Sequence, residues 1–146
     1  MPVLLKKILA LVIGLVVCVA TVAVLEQVNH SLFIPTSAST ADAHDPSVAT
    51  AFMKNLPVAA YLMVLFAWLA GTAFGITAAS LLIKRVSRLF VPIITGVMLL
   101  STIANFYLLP HPTWLMIAAV LLIPCTGLGT GWLLARRFKV TETPIQ

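Results

Sequence analysis

Four long apolar stretches constrain the fold of this 146-residue sequence more than any other feature. They cover approximately residues 8–27, 58–83, 89–109 and 114–135. Each could cross a hydrocarbon core, which takes about 20 residues of helix. A helix satisfies its own backbone hydrogen bonds in lipid, whereas an open strand does not. The sequence therefore predicts an all-α membrane protein, a four-helix transmembrane bundle in which residues 1–146 form a single integral membrane domain.

The overall composition supports a membrane protein and argues against a nucleic-acid-binding one. Hydrophobic residues make up 61% of the chain, charged residues 9%, and the mean hydropathy is +1.10. A soluble domain of this size could not cover so much apolar surface with polar side chains. The net charge of +5 lies in three short flanks of the apolar stretches, which is typical of contact with anionic lipids.

The basic residues predict the orientation of the bundle. Eight of the nine flank the N-terminus, the central loop or the C-terminus: Lys6, Lys7, Lys84, Arg85, Arg88, Arg136, Arg137 and Lys139. Only Lys54 lies in another connection. Basic residues accumulate in cytoplasmic loops. We therefore expect both termini to be cytoplasmic and the loops 28–57 and 110–113 to lie outside.

The first outer loop, residues 28–57, contains a candidate surface helix at about 46–55. Asp45 suits an N-cap and Pro46 the first helical position. Apolar residues then recur at helical spacing, which predicts a short amphipathic helix on the outer membrane surface. The alternative is an early start of the second span, against which Pro57 argues.

Glycines form two stripes at helical spacing, one in the second span and one in the fourth. Gly71 and Gly75 form the first stripe, and Gly127 and Gly131 the second. Small residues let helix backbones approach closely in lipid. We expect the second and fourth spans to meet through these helix-packing glycines. The alternative is a face on which two copies of the chain associate.

Polar residues interrupt the end of the first span in "VLEQVNHSLF", residues 24–33. Glu26 lies roughly 27 Å along a helix from Ile8, which places it near the outer boundary of the lipid. Its helical face also carries Asn29 and His30. The third span offers a polar patch at a similar height, consisting of Ser101, Thr102 and Asn105. A carboxylate facing lipid is unfavourable, so we expect Glu26 to face the bundle and to find a hydrogen-bond donor there.

Two interpretations of this polar cluster remain open. In the structural one, Glu26 is held by His30, by Asn105 or by a loop backbone group, and the cluster locks the outer helix ends. In the functional one, Glu26, His30 and His111 form a proton-titrating or metal-binding site, because a carboxylate and two imidazoles can bind zinc. The Glu-x-x-x-His spacing lacks the second helical histidine of a zinc-protease motif.

The run "IANFYLLPHPTW", residues 103–114, resembles a family of short four-span bacterial membrane proteins that are uncharacterised. The residues that carry the resemblance are Asn105, Leu109, Pro110, Pro112 and Trp114, and it extends over about the last 60 residues. It implies a multi-pass protein of the bacterial inner membrane. It implies no activity, cofactor or substrate, and many members have no histidine at the position of His111.

These observations predict a non-enzymatic, polytopic inner-membrane protein that acts as a structural, accessory or interaction subunit. Its expected partners are membrane lipids, other membrane proteins or a second copy of itself. The sequence contains no phosphate loop, haem-attachment motif or nucleophile triad, so we predict no cofactor and no enzymatic activity. The alternative is a small transporter or channel component with an outer proton or cation site around Glu26 and His30.

The orientation can be tested by cysteine labelling in spheroplasts, after Cys18 and Cys125 are replaced by alanine. A single cysteine introduced between residues 36 and 50 should react with a membrane-impermeant thiol reagent added from outside. A cysteine at position 140 should react only after permeabilisation, because we place it in the cytoplasm. The opposite pattern would overturn the predicted topology.

Overall fold

The computed structural model describes residues 3–33, 55–87 and 89–138, and four helices make up nearly all of these residues. They are α1 (Val3–Phe33), α2 (Val58–Ile83), α3 (Phe90–Leu108) and α4 (Thr113–Arg137). Each is long and apolar enough, by length and composition, to cross a membrane. The predicted all-α, four-helix architecture is thus confirmed.

The helix boundaries agree with the apolar stretches except in α1. The helices α2, α3 and α4 begin and end within two residues of the predicted spans. The first helix is longer than the predicted span of about 8–27, since α1 runs from Val3 to Phe33 and includes the first residues of the predicted outer loop 28–57. The reason is that a helix does not need to end where its lipid-facing part ends. Residues 46–54 of the predicted surface helix lie outside the described residues, and Asn55 lies in the turn before α2.

The second helix is the hub of the bundle. It contacts each of the other three helices, and its contact with α1 is the most extensive in the described part of the chain. The helix α4 packs against α2 and α3, while α1 contacts α3 only sparsely and does not contact α4 within the described residues. The bundle therefore has an open side, between α1 and α3.

A close backbone contact joins α1 to α2. A Cβ atom on Gly75 would lie 2.8 Å from the carbonyl oxygen of Gly14 and 2.8 Å from Cys18 Cβ. A Cβ atom on Gly14 would lie 2.7 Å from the carbonyl oxygen of Gly75. Such distances are shorter than any side chain accepts, so glycine at both positions permits the approach.

The partners of the glycine stripes differ from the expected ones. Gly71 and Gly75 face α1, and a Cβ on Gly71 would lie 2.7 Å from Val22 Cγ2. Gly127 and Gly131 face α3, where a Cβ on either would overlap the Thr95 or the Val91 side chain respectively. The stripes thus do not meet each other across α2 and α4, and both are covered within one chain. The counterpart on α1 is a stripe of small residues, Ala10, Gly14 and Cys18, in which only one residue is a glycine.

The glycine contact predicts a position-dependent cost of alanine. Gly75→Ala should lower the free energy of unfolding by about 1–3 kcal/mol, because its methyl group would press on the backbone of α1. Gly129→Ala is the matched control, since a Cβ there meets nothing within 4 Å. Its stability should stay equal or rise slightly, because alanine favours helix. The measurement is thermal unfolding in detergent by circular dichroism, and equal effects of the two substitutions would contradict the observed packing.

Candidate functional site

The open side of the bundle is a groove of about 290 Å³ between α1 and α3, hereafter the α1–α3 groove. Twelve residues line it: Leu15, Cys18, Val19, Val22, Ala23 and Glu26 from α1, Trp68 from α2, and Val97, Met98, Ser101, Thr102 and Asn105 from α3. Toward the N-terminus of α1 it closes where Ile94 of α3 approaches the contact between Gly14 and Gly75. The groove exists because α1 packs tightly on α2 and only sparsely on α3.

One end of the groove is polar and the remainder is apolar. Glu26, Ser101, Thr102 and Asn105 form the polar end, so four of the six residues of the predicted cluster line one site. The other two, Asn29 and His30, are not part of the lining, and His30 is exposed. The structure thus brings the carboxylate of α1 to the polar patch of α3.

Glu26 is partly buried and takes its hydrogen bond from α2. The Trp68 side chain donates to the carboxylate. Within the described residues, neither His30 nor Asn105 donates a hydrogen bond to Glu26. These two residues were the partners expected from the sequence. The cause is the packing of α1, which turns the face of Glu26 toward α2. The only sequence signal for Trp68 was its spacing of seven residues from Tyr61, which places both rings on one side of α2.

Thr102 contributes an unsatisfied hydroxyl group to the groove. Its side chain is 1% exposed, and Thr102 Oγ1 has no hydrogen-bond partner among the described residues. By contrast, the buried hydroxyl of Thr72 donates to the Trp68 carbonyl oxygen at 2.8 Å. Buried polar groups are nearly always hydrogen-bonded in folded proteins. The hydroxyl of Thr102 is therefore free to bind a group that enters the groove.

Aromatic rings pack behind the polar end. Trp68 contacts the rings of Phe106 and His111, with centroid distances of 5.7 Å and 6.2 Å. His111 also lies 5.4 Å from the Phe106 ring and 6.4 Å from the Tyr61 ring. Edge-to-face aromatic pairs of this kind stabilise beyond their buried area. Trp68 thus links the Glu26 carboxylate to an aromatic cluster that spans α2, α3 and the turn before α4.

The ring of His111 packs among aromatic side chains and forms a hydrogen bond to the backbone, which indicates a structural role. Its Nδ1 lies 2.8 Å from the Leu109 carbonyl oxygen, which can only accept, so Nδ1–H is the donor. Within residues 3–33, 55–87 and 89–138, no three His, Cys, Asp or Glu side chains gather into a possible metal site. The hypothesis that Glu26, His30 and His111 share one metal ion is therefore not supported by their placement.

The polar end of the α1–α3 groove offers hydrogen-bond acceptors, one of which is the carboxyl group of Glu26. Among the described residues, Glu26 is the only carboxyl group in the lining, and no lysine, arginine or histidine joins it there. The hydroxyls of Ser101 and Thr102 and the amide of Asn105 lie on the opposite wall. This arrangement suits a small ligand with N–H donors or a positive charge.

Comparisons of the chain with protein-family models, with curated proteins and with solved structures found no match.

The bond between Glu26 and Trp68 predicts a measurable coupling. Trp68→Phe should lower the free energy of unfolding by about 1–3 kcal/mol, in addition to the loss caused by the smaller side chain. The reason is that it leaves the partly buried carboxylate without its hydrogen-bond donor. In a double-mutant cycle with Glu26→Gln, the two losses should be non-additive. The control is Trp132→Phe, whose ring is 55% exposed and lies under the Arg136 guanidinium at 3.6 Å. Additive losses would show that the two side chains do not interact.

Proposed function

We propose that this chain is a small polytopic protein of a bacterial inner membrane, with both termini cytoplasmic, which acts as a structural, accessory or interaction subunit. Four membrane-length apolar helices support the membrane location. The concentration of eight basic residues at the termini and central loop supports the orientation. The resemblance of residues 103–114 supports the bacterial setting.

The one-sided packing of α1 is the observation that carries this role. This helix of 31 residues packs almost entirely on α2 and contacts α4 nowhere in the described residues. Away from α2, this helix exposes apolar side chains outside the α1–α3 groove, among them Val12, Val16 and Val24. A helix held by a single neighbour leaves most of its surface to the surroundings. In a membrane, such a face can pack against a helix of another protein as closely as against lipid.

A photo-crosslinking experiment tests the interaction role. A photoreactive amino acid at Val16 should crosslink to a protein in native membranes, and mass spectrometry of the product identifies it. Leu121 on α4 is the matched control, because both side chains are 61% exposed. A specific protein product from position 16 and none from position 121 is the expected result. Only lipid adducts at both positions would contradict an interaction role for α1.

The second candidate function is a small transporter or channel component, favoured by the placement of Glu26. Its carboxylate lines a groove together with the polar side chains of α3, instead of facing away from the bundle. Intramembrane ionisable residues commonly mark ion or proton pathways. A transporter would use this carboxylate as its cation or proton site.

Flux measurements in liposomes separate this candidate from the first. If the protein transports, Glu26→Gln should abolish proton or cation flux, because the amide keeps the shape but neither titrates nor carries charge. His30→Ala should leave the flux unchanged, since His30 is exposed and lies outside the groove lining. If liposomes that contain the wild-type protein show no more flux than empty liposomes, the transporter hypothesis is excluded. The interaction role is unaffected by that result.

A further inference from the structure

We propose that the α1–α3 groove binds an amphipathic amine, with its ammonium group beside Glu26 and its apolar part along the remaining walls of the groove. This inference goes beyond the interaction role and requires only that the helices lie in a membrane. Its basis is the combination of a carboxylate without an ion-pair partner among the described residues, an unsatisfied buried hydroxyl near it, and an apolar channel that leads away from this polar end.

The first step concerns charge. Glu26 forms no ion pair with a basic side chain among the described residues, and its hydrogen-bond partner there is the neutral indole of Trp68. Burying a charge is costly unless a counter-charge or several hydrogen bonds compensate it. A ligand with a positive charge would supply the compensation that the described residues do not.

The second step concerns hydrogen-bond capacity. A carboxylate offers about four lone-pair sites, and Trp68 donates to it only once. Thr102 Oγ1 is buried without a partner on the facing wall, and Asn105 lies one turn further along α3. An ammonium group carries three donors and no acceptor. It therefore has enough donors for both the carboxylate and the hydroxyl oxygen.

The third step concerns the rest of the ligand. From Glu26 the groove continues along α1 to Leu15, a distance of about 16 Å at the rise of an α-helix. Its walls there are aliphatic or sulfur-containing, with Val19, Val22 and Met98 among them. A volume of about 290 Å³ accommodates a short alkyl chain. The ligand is thus linear, with a polar head and an apolar tail.

Two sources supply this chemistry, a membrane lipid with a primary amine in its headgroup and a free alkylamine. Both present an ammonium group attached to an apolar chain. The experiment therefore uses a soluble probe in membranes of defined lipid. The probe is octylammonium, and 1-octanol is the neutral control with the same alkyl chain. Binding is measured by calorimetry on the full chain in phosphatidylcholine nanodiscs.

The wild-type protein should bind octylammonium at least tenfold more tightly than octanol. Glu26→Gln should remove this preference, since a charge-assisted hydrogen bond is replaced by a neutral one. In the double variant Glu26→Gln/Gln27→Glu, a carboxylate returns to α1 at the neighbouring exposed position. The preference should not return, because that carboxylate lies outside the groove. Restoration by the double variant would show a general surface-charge effect and overturn the proposal.

Thr102→Val provides an independent readout if Glu26→Gln fails to fold, which circular dichroism and gel filtration would reveal. Valine keeps the shape of threonine and removes the hydroxyl, so octylammonium affinity should fall severalfold while octanol binding stays unchanged.

Exchanging phosphatidylcholine for phosphatidylethanolamine identifies the source: competition with octylammonium indicates the lipid headgroup, and its absence indicates a free amine. Equal affinity of the wild type for the two probes would overturn the proposal without affecting the crosslinking test of the interaction role.

Discussion

The structure depends on the close approach of α1 to α2 at Gly14 and Gly75. A Cβ atom on either glycine would fall within 2.8 Å of the carbonyl oxygen of the other, so an Hα atom of each occupies that direction. Contacts of this kind permit weak Cα–H···O hydrogen bonds and extensive van der Waals packing, which drive helix association where the hydrophobic effect is absent. This contact sets how closely α1 lies on α2.

The α1–α3 groove is a consequence of that approach. Because α1 lies deep against α2, it turns its polar face toward Trp68 and leaves a gap to α3. The carboxylate of Glu26 then lies between the indole donor of α2 and the hydroxyl and amide groups of α3. The same packing leaves the opposite face of α1 exposed. Thus one contact produces both the polar site and the surface proposed for interaction.

The sequence predicted the helices well because their signal is local. The length of each apolar run is enough to define α2, α3 and α4 within two residues. The end of α1 was missed because polar residues such as Asn29 and His30 continue the helix, and hydropathy does not report helical structure beyond the apolar run. The expectation that Glu26 finds a donor within the bundle rested on the cost of exposing a carboxylate to lipid, which does not depend on the partner.

The identity of that donor and of the glycine partners could not be predicted, since both depend on which helices are neighbours. Trp68 carried no signal as a hydrogen-bond donor, and the small residues Ala10, Gly14 and Cys18 at helical spacing on α1 did not indicate which helix would cover them. The glycines of α2 and α4 indicated contact faces but not which helix would cover each one. Pairwise helix packing is a tertiary property that one sequence does not encode in its periodicity.

The approach of α1 to α2 can be measured directly by nuclear magnetic resonance on the full chain in detergent micelles or nanodiscs. With selectively labelled glycine, a nuclear Overhauser effect should connect the Hα protons of Gly14 and Gly75, because each faces the backbone of the other helix. The account predicts this cross-peak and predicts none between Gly75 and the glycines of α4, whose stripe faces Thr95 and Val91. A cross-peak from Gly75 to Gly127 or Gly131, with none to Gly14, would contradict the helix arrangement on which the groove depends.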